Sequence, residues 1–72
     1  MSLRFSARNQ LRAKVKSVKL GSVMAEVVMV FADGQEIVSA ITRTSAENLD
    51  LKEGDEIVAI IKSTEIMVGK NE

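Results

Sequence analysis

The segment LRAKVKSVKL, from Leu11 to Leu20, decides the fold that we predict for this chain. Its apolar residues alternate with basic ones as far as Val15, which is the pattern of a strand with one buried face. The alternation then slips by one residue, because the next apolar positions are Val18 and Leu20. A β-bulge absorbs such a slip and sharpens the strand twist. We therefore predict a long first strand with a bulge near Ser17.

The rest of the chain consists of short apolar runs separated by polar turns. Gly21-Ser22 is predicted to be a turn, and Asp33-Gly34 has the composition of a hairpin whose residues take positive φ angles. Thr44 and Glu47 have the spacing of a helix capping box. The predicted elements after the first strand are strands Val23–Phe31 and Glu36–Thr42, a short helix Thr44–Leu49, strands Glu56–Ile61 and Glu65–Val68, and a tail Gly69–Glu72. Five strands with a helix after the third have the order of an OB-type Greek-key barrel, so we predict an all-β fold with one short helix.

Length and apolar content predict one domain, residues 1–72, that associates with copies of itself. A chain of 72 residues buries only about 60% of its unfolded surface and is marginally stable alone. The predicted second and fourth strands are apolar on both faces, which is more than one small barrel interior can hold. We therefore expect a homo-oligomer with an apolar interface.

Composition argues against several classes of function. The chain has no His and no Cys, so the commonest general base and the usual metal ligands are missing, and we predict neither an enzyme nor a protein-ligated metal site. Lys62 and Ser63 are adjacent, so on a strand they would point to opposite faces rather than form a nucleophile pair. Ten basic and ten acidic residues give a formal net charge of zero, and the only aromatic residues are two Phe, which disfavours nucleic acid. No apolar run approaches the roughly 18 residues of a membrane span, so we expect a cytoplasmic protein without membrane association.

Hydrogen-bond donors are concentrated at the ends of the apolar runs. They carry four hydroxyls, one guanidinium and one ammonium, with a formal charge of +2 and no carboxylate, and the predicted helix start adds N–H groups. Such a set favours a fully deprotonated dianion, such as sulfate, molybdate or tungstate, over phosphate, whose proton needs an acceptor. Each residue alone has an ordinary interpretation as a turn, cap or surface residue. The predicted oxyanion-binding residues are Ser6, Arg8, Thr42, Ser45, Lys62 and Ser63.

Several motifs resemble one known family. They are SARNQL at Ser6–Leu11, GSVMAEV at Gly21–Val27, AITRTS at Ala40–Ser45, LDLKEGD at Leu49–Asp55 and IKSTE at Ile61–Glu65. The sequence resembles the molbindins, small Mop-type molybdate-binding proteins of the TOBE/Mop domain family. The resemblance implies an OB-like barrel, a hexamer built as a trimer of dimers, and molybdate or tungstate bound between subunits without an organic cofactor.

The resemblance also implies how the donors are shared between subunits. Thr42, Ser45, Lys62 and Ser63 would come from one subunit, and Ser6 with Arg8 from its neighbour. The family has a second kind of site near the symmetry axis, for which Gly21-Ser22 is a weak candidate in this sequence. The leading function is storage and homeostasis of molybdate or tungstate. The alternative is an oxyanion-sensing accessory module that acts on a transporter or regulator, and nucleic-acid binding is a third class.

Overall fold

The computed structural model describes residues 4–71, which form a four-stranded antiparallel sheet with one short helix. The strand order is β3-β2-β1-β4, and the sheet curls like a half-barrel. The OB-like, mostly-β fold predicted from the sequence is confirmed, although the strand count is four rather than five. The elements are β1 (Asn9–Leu20), β2 (Met24–Val30), β3 (Glu36–Thr42), α1 (Arg43–Asn48), β4 (Glu56–Ile61) and a single 3₁₀ turn (Ser63–Glu65).

The bulge predicted in the first strand is confirmed. Val15 lies opposite Met29 and Ser17 lies opposite Val28, so Lys16 is the extra residue of β1. The bulge lets Val15 and later apolar residues keep to one face of the sheet despite the slip in the sequence pattern. The side chain of Lys16 forms an ion pair with Glu36 at the start of β3.

β1 is long because it pairs with two different strands, one after the other. Its first half, from Asn9 to Lys14, pairs with β4, and its second half, from Lys14 to Leu20, pairs with β2. Each half therefore has one edge that no strand covers within residues 4–71. A cross-connection lies at the centre, where the Val15 N–H donates to the Asp55 carbonyl at 2.9 Å.

The core lies where these pairings meet. Its buried members are small or medium-sized residues of β1, β2 and β4, and Val15 is the most deeply buried at 2% exposure. Half-buried apolar residues such as Phe31 and Leu51 pack around them. Apolar side chains also lie on the outer surface, among them Val38 at 60% exposure. The buried cluster comprises Ala13, Val15, Val27, Met29 and Ala59.

The β2–β3 hairpin turns as predicted, but with a different backbone from the one predicted. Gly34 has a φ of 89°, whereas Asp33 is not among the described residues with positive φ. Asp33 instead accepts hydrogen bonds from the Gln35 N–H at 3.1 Å and its side-chain amide at 2.7 Å. The amide bond, followed by the N–H bond, holds the pKa of the Asp33 carboxyl below its ordinary value. One glycine in the left-handed region suffices because a carboxylate stabilises the other turn residue.

The predicted fifth strand, Glu65–Val68, is wrong for a single chain. The 3₁₀ turn includes Glu65, and the Glu65 N–H donates to the Lys62 carbonyl at 2.9 Å. Ile66 is extended, with φ of −101° and ψ of 124°, but residues 66–68 join no ladder within the described chain. The sequence predicted the extended backbone, but the segment stays unpaired although the outer edge of β4 is uncovered within residues 4–71. Of the predicted tail, Glu72 lies outside the described residues.

Candidate anion-binding site

Four of the six predicted donors flank the end of the sheet where β1 begins and β4 ends. Asn9, the first residue of β1, pairs with Ile61, the last residue of β4. Arg8 precedes that pair on one strand and Lys62 follows it on the other, so the antiparallel register places them at the same end. Ser6 and Ser63 are close by in sequence, and all four residues are exposed. The Gln10 side-chain amide donates to the Ala7 carbonyl at 2.8 Å and so constrains the segment that carries Ser6 and Arg8.

This end of the sheet therefore carries two exposed cations. The ion pairs within residues 4–71 involve Lys16, Arg43 and Lys52 and include neither Arg8 nor Lys62. A guanidinium offers a planar fork of N–H groups and an ammonium offers three donors, so both suit the oxygens of an anion. We call Ser6, Arg8, Lys62 and Ser63 the cationic cluster.

The remaining two predicted donors contact each other at the start of α1. The Thr42 hydroxyl accepts a hydrogen bond from the Ser45 N–H at 3.1 Å and donates its proton to the Ser45 oxygen at 2.8 Å. The Ser45 hydroxyl proton is thereby left for another acceptor, whereas the Ser45 N–H is already engaged. We call Thr42 and Ser45 the hydroxyl pair, and both residues are exposed.

The predicted capping box of Thr44 and Glu47 is wrong. Thr42 is the N-cap, with extended backbone angles of −69° and 149°, and α1 begins at Arg43. The capping residue must be extended, and Thr42 fulfils that condition because it is also the last residue of β3. Glu47 instead lies 3.5 Å from the Arg43 guanidinium, one helical turn earlier.

Arg43 joins the start of α1 to the β1–β2 turn, a role that sequence reasoning missed. Its N–H donates to the Val23 carbonyl at 2.8 Å and its guanidinium donates to the Gly21 carbonyl at 3.2 Å. The Gly21 N–H in turn donates to the Met24 carbonyl at 2.7 Å, in a turn where a Cβ on Gly21 would lie 3.0 Å from that oxygen. The helix start is thus fixed to the β1–β2 turn. The position of Arg43 within the TRTS motif was the available signal.

The cationic cluster and the hydroxyl pair lie at opposite ends of β1. Thr42 pairs with Met24, and the next residue of β2, Ala25, pairs with Leu20 at the end of β1. Lys62 directly follows Ile61, which pairs with Asn9 at the start of β1. At a rise of about 3.3 Å per residue, the twelve residues of β1 separate the two ends by roughly 35 Å of strand. The strand register therefore groups Lys62 and Ser63 with Arg8 and Ser6. This grouping differs from the one that the resemblance implied.

Within residues 4–71 no three His, Cys, Asp or Glu residues are grouped so that they could hold a metal ion. In the same part of the chain, no helix has the length and apolar character needed to cross a membrane. A curled antiparallel sheet whose ends carry hydroxyl and cationic donors defines the class of this protein, a small OB-like module. The chain belongs to the TOBE domain family, whose sequence model matches residues 6–68.

Similar proteins agree with this assignment over nearly the whole chain. Molybdenum-pterin-binding protein 3 of Clostridium pasteurianum is 52% identical over 63 residues, covering 88% of this chain and 93% of that protein. A probable molybdenum-pterin-binding protein of Haemophilus influenzae is 42% identical over 67 residues, covering 93% of this chain and 97% of that protein. The solved structure of a molybdate-binding protein from Sporomusa ovata has a TM-score of 0.88 and 46% identity, covering 94% of this chain and all of that one.

Proposed function

We propose that this chain binds molybdate or tungstate reversibly at the interface between two copies. One copy supplies the cationic cluster, and a second supplies the hydroxyl pair. The observation that carries the proposal is the pairing of Asn9 with Ile61, which places Arg8 and Lys62 at one end of the sheet. Their two positive charges match the charge of a tetrahedral dianion, and charge-assisted hydrogen bonds are roughly twice as strong as neutral ones.

The chemistry of the donors supports an oxyanion that carries no proton. None of the six donor side chains is a carboxylate, so the set offers protons and no strong acceptor. Molybdate and tungstate satisfy that condition near neutral pH, whereas phosphate does not. The sequence has no thiolate or imidazole, so the ligand would be held through its oxygens rather than by bonds to the metal. The Sporomusa ovata protein is described as molybdate-binding, and a structure of ModG, 36% identical, is described with molybdate bound.

Reversible hydrogen bonding suits storage and homeostasis of the oxyanion. Release requires no covalent step, because separating or loosening the two copies parts the cationic cluster from the hydroxyl pair. ModG, a structural neighbour, is described as a cytoplasmic molybdate-binding protein, and we assign the same location to this chain. We expect the ligand to stabilise the assembled state, because an ion bridging two copies binds that state preferentially.

A sensing or accessory role is the second candidate. The ModE molybdenum transport protein of Azotobacter vinelandii is 41% identical over 68 residues, and the match covers 25% of its length. A related module therefore also occurs inside a larger protein. Deleting the gene for this chain would lower cellular molybdenum content if it stores the oxyanion. The rate of molybdate uptake would change instead if it acts on a transporter or regulator.

Isothermal titration with molybdate tests the proposal, with sulfate and phosphate as controls. We expect saturable binding of molybdate that phosphate does not reproduce, because the donor set offers no acceptor for the phosphate proton. Sulfate binding equal to that of molybdate would contradict a site dedicated to molybdate or tungstate. Arg8→Ala and Lys62→Ala should each weaken binding by about ten- to a hundredfold, because hydrogen bonds to charged groups contribute about 1.5–3 kcal/mol. Ser63→Ala removes a neutral donor and should cost less than about tenfold.

Two further variants sharpen the titration. Lys52→Ala removes a cation that lies 3.3 Å from Asp50 and outside the cationic cluster, so it should leave the affinity unchanged. Ser45→Asp places a carboxylate against the anion and should abolish binding. Unchanged affinity in Ser45→Asp, or equal losses in Lys52→Ala and Lys62→Ala, would contradict the proposed site.

A further inference from the structure

The turn between β2 and β3 contains a chemically reactive dipeptide. Asp33-Gly34 is the one Asp-Gly pair of the sequence, and no Asn-Gly pair occurs. In an Asp-Gly pair the glycine nitrogen can attack the aspartate side chain, because glycine has no Cβ to block the approach. Asp50 and Asp55 are each followed by a larger residue, which hinders the same attack. The turn is therefore where this chemistry is least hindered by the sequence.

The reaction exchanges one backbone amide for another. The Gly34 nitrogen bonds to Cγ of Asp33, and the amide proton and the carboxyl hydroxyl leave as water, which closes a succinimide ring. Water then opens the ring at one of its two carbonyls. Opening at Cγ restores aspartate, whereas opening at the backbone carbonyl leaves isoaspartate, with the chain running through the former side chain. No oxidant is required, because the water released in the first step is taken up in the second.

The turn gives this reaction room but holds both reacting groups. Asp33 and Gly34 are exposed, and a Cβ on Gly34 would meet no atom within 4 Å outside its chain neighbours. The Gly34 N–H donates to the Phe31 carbonyl at 2.9 Å, so the attacking nitrogen is engaged. The Asp33 carboxylate accepts hydrogen bonds from the Gln35 N–H at 3.1 Å and from the Gln35 side-chain amide at 2.7 Å. The restraint on the reaction therefore lies in hydrogen bonds rather than in packing.

Gln35 supplies two of these three hydrogen bonds. Its side-chain amide, followed by its N–H, holds the pKa of the Asp33 carboxyl below the ordinary value. An ionised carboxylate is a poorer target for the glycine nitrogen than a carboxylic acid, because hydroxide leaves more readily than an oxide ion. The same two bonds restrict the side-chain rotation that ring closure needs.

We propose that Asp33-Gly34 is the site at which this protein forms isoaspartate as it ages, and that Gln35 restrains the reaction by engaging the Asp33 carboxylate. Ring closure requires the Gly34 N–H to leave the Phe31 carbonyl and the carboxylate to leave Gln35. The modification site is separate from the proposed anion site, because the turn precedes β3 whereas the hydroxyl pair follows its other end.

Isoaspartate adds one methylene to the backbone of the turn, and the length of a turn fixes the register of its hairpin. The contacts next to the turn are the hydrogen bond from the Phe31 N–H to the Gln35 carbonyl at 2.8 Å and the pairing of Val30 with Glu36. Glu36 also forms the ion pair with Lys16 at the bulge. We therefore expect modified chains to lose these contacts and to melt at a lower temperature than unmodified ones.

Peptide mapping of the full chain after storage at neutral pH tests the proposal. Endoproteinase Asp-N cleaves before aspartate and not before isoaspartate, so missed cleavage at residue 33 reports the product. Cleavage at Asp50 and Asp55 is the internal reference. We expect isoaspartate at residue 33, formed more slowly in the native chain than in the chain unfolded in urea. Earlier modification at Asp50 or Asp55, or equal rates in the native and unfolded chains, would overturn the proposal.

Two variants test the role of Gln35. Gln35→Ala and Gln35→Glu both remove the side-chain donor, and each should speed isoaspartate formation by about two- to tenfold, the range that one hydrogen bond of this kind gives. Gln35→Glu keeps the size of the side chain, so it separates the hydrogen bond from simple shielding of the turn. Acceleration in Gln35→Ala alone, or in neither variant, would refute the role of Gln35.

Ala46→Gly is the control for a general loss of stability. Ala46 is buried in α1, outside the turn, and glycine destabilises a helix interior. This variant should melt earlier than the native chain and yet form isoaspartate at the native rate. Equal acceleration in Ala46→Gly and Gln35→Ala would show that unfolding, rather than Gln35, controls the reaction.

Discussion

Replacing Thr42 with valine removes one hydroxyl that serves two purposes. The substitution preserves shape but deletes the acceptor of the Ser45 N–H at 3.1 Å and the donor to the Ser45 oxygen at 2.8 Å. Loss of a helix N-cap costs about 1 kcal/mol. The bond between the two hydroxyls adds little, because both side chains are exposed and water replaces it. For a domain of this size, that loss lowers the melting temperature by about 4–8 °C.

Thr44→Val is the matched control, because it makes the same chemical change two residues later. Thr44 lies inside α1, and valine and threonine have similar helix propensities, so its melting temperature should remain within about 2 °C of the native value. Melting is followed by circular dichroism at one fixed protein concentration, because association shifts apparent stability. A larger loss in Thr44→Val than in Thr42→Val would refute the assigned cap and restore the capping box that the sequence pattern predicted.

The same two variants also test the anion site. Thr42→Val should weaken molybdate binding in the titration, because it removes one member of the hydroxyl pair and releases the other. Thr44→Val should bind like the native chain. Equal affinity in both variants would show that Thr42 is a cap and not a ligand.

Three further predictions concern the core and the hairpin. Val15→Ala should destabilise the protein by about 2 kcal/mol, because Val15 is 2% exposed, whereas Val38→Ala at 60% exposure should change little in denaturant unfolding. Gly34→Ala should cost about 1 kcal/mol because φ is 89°, and Gly34→Asn should cost less because asparagine tolerates that conformation, as thermal unfolding can show. The pKa of Asp33 is lowered by hydrogen bonds from Gln35, so its contribution is full above about pH 3.9 and is lost as the pH falls through the lowered pKa. An NMR titration of Asp33 should show this, and a pKa at or above the ordinary value would contradict it.

The sequence by itself determined the segmentation of the chain. The alternation and slip in the first strand specify a half-buried strand with a bulge, and the structure confirms the bulge at Lys16. The bounds of β3 and β4 also agree with the prediction, Glu36–Thr42 and Glu56–Ile61. These features are local, because side-chain alternation and turn residues act within a few positions. The six candidate donor side chains likewise follow from residue chemistry alone, and their role as ligands stays a prediction.

The tertiary structure decided which of these local elements have partners. Sequence propensity predicted extended backbone after Glu65, but a strand also needs a partner, and residues 66–68 pair with no strand within the described chain. The N-cap is Thr42 rather than the predicted Thr44, because β3 continues to the residue before the helix. The donors separated into two groups because β1 pairs with β4 at one end and β2 at the other. Register joins residues that are distant in sequence, so local patterns do not encode it.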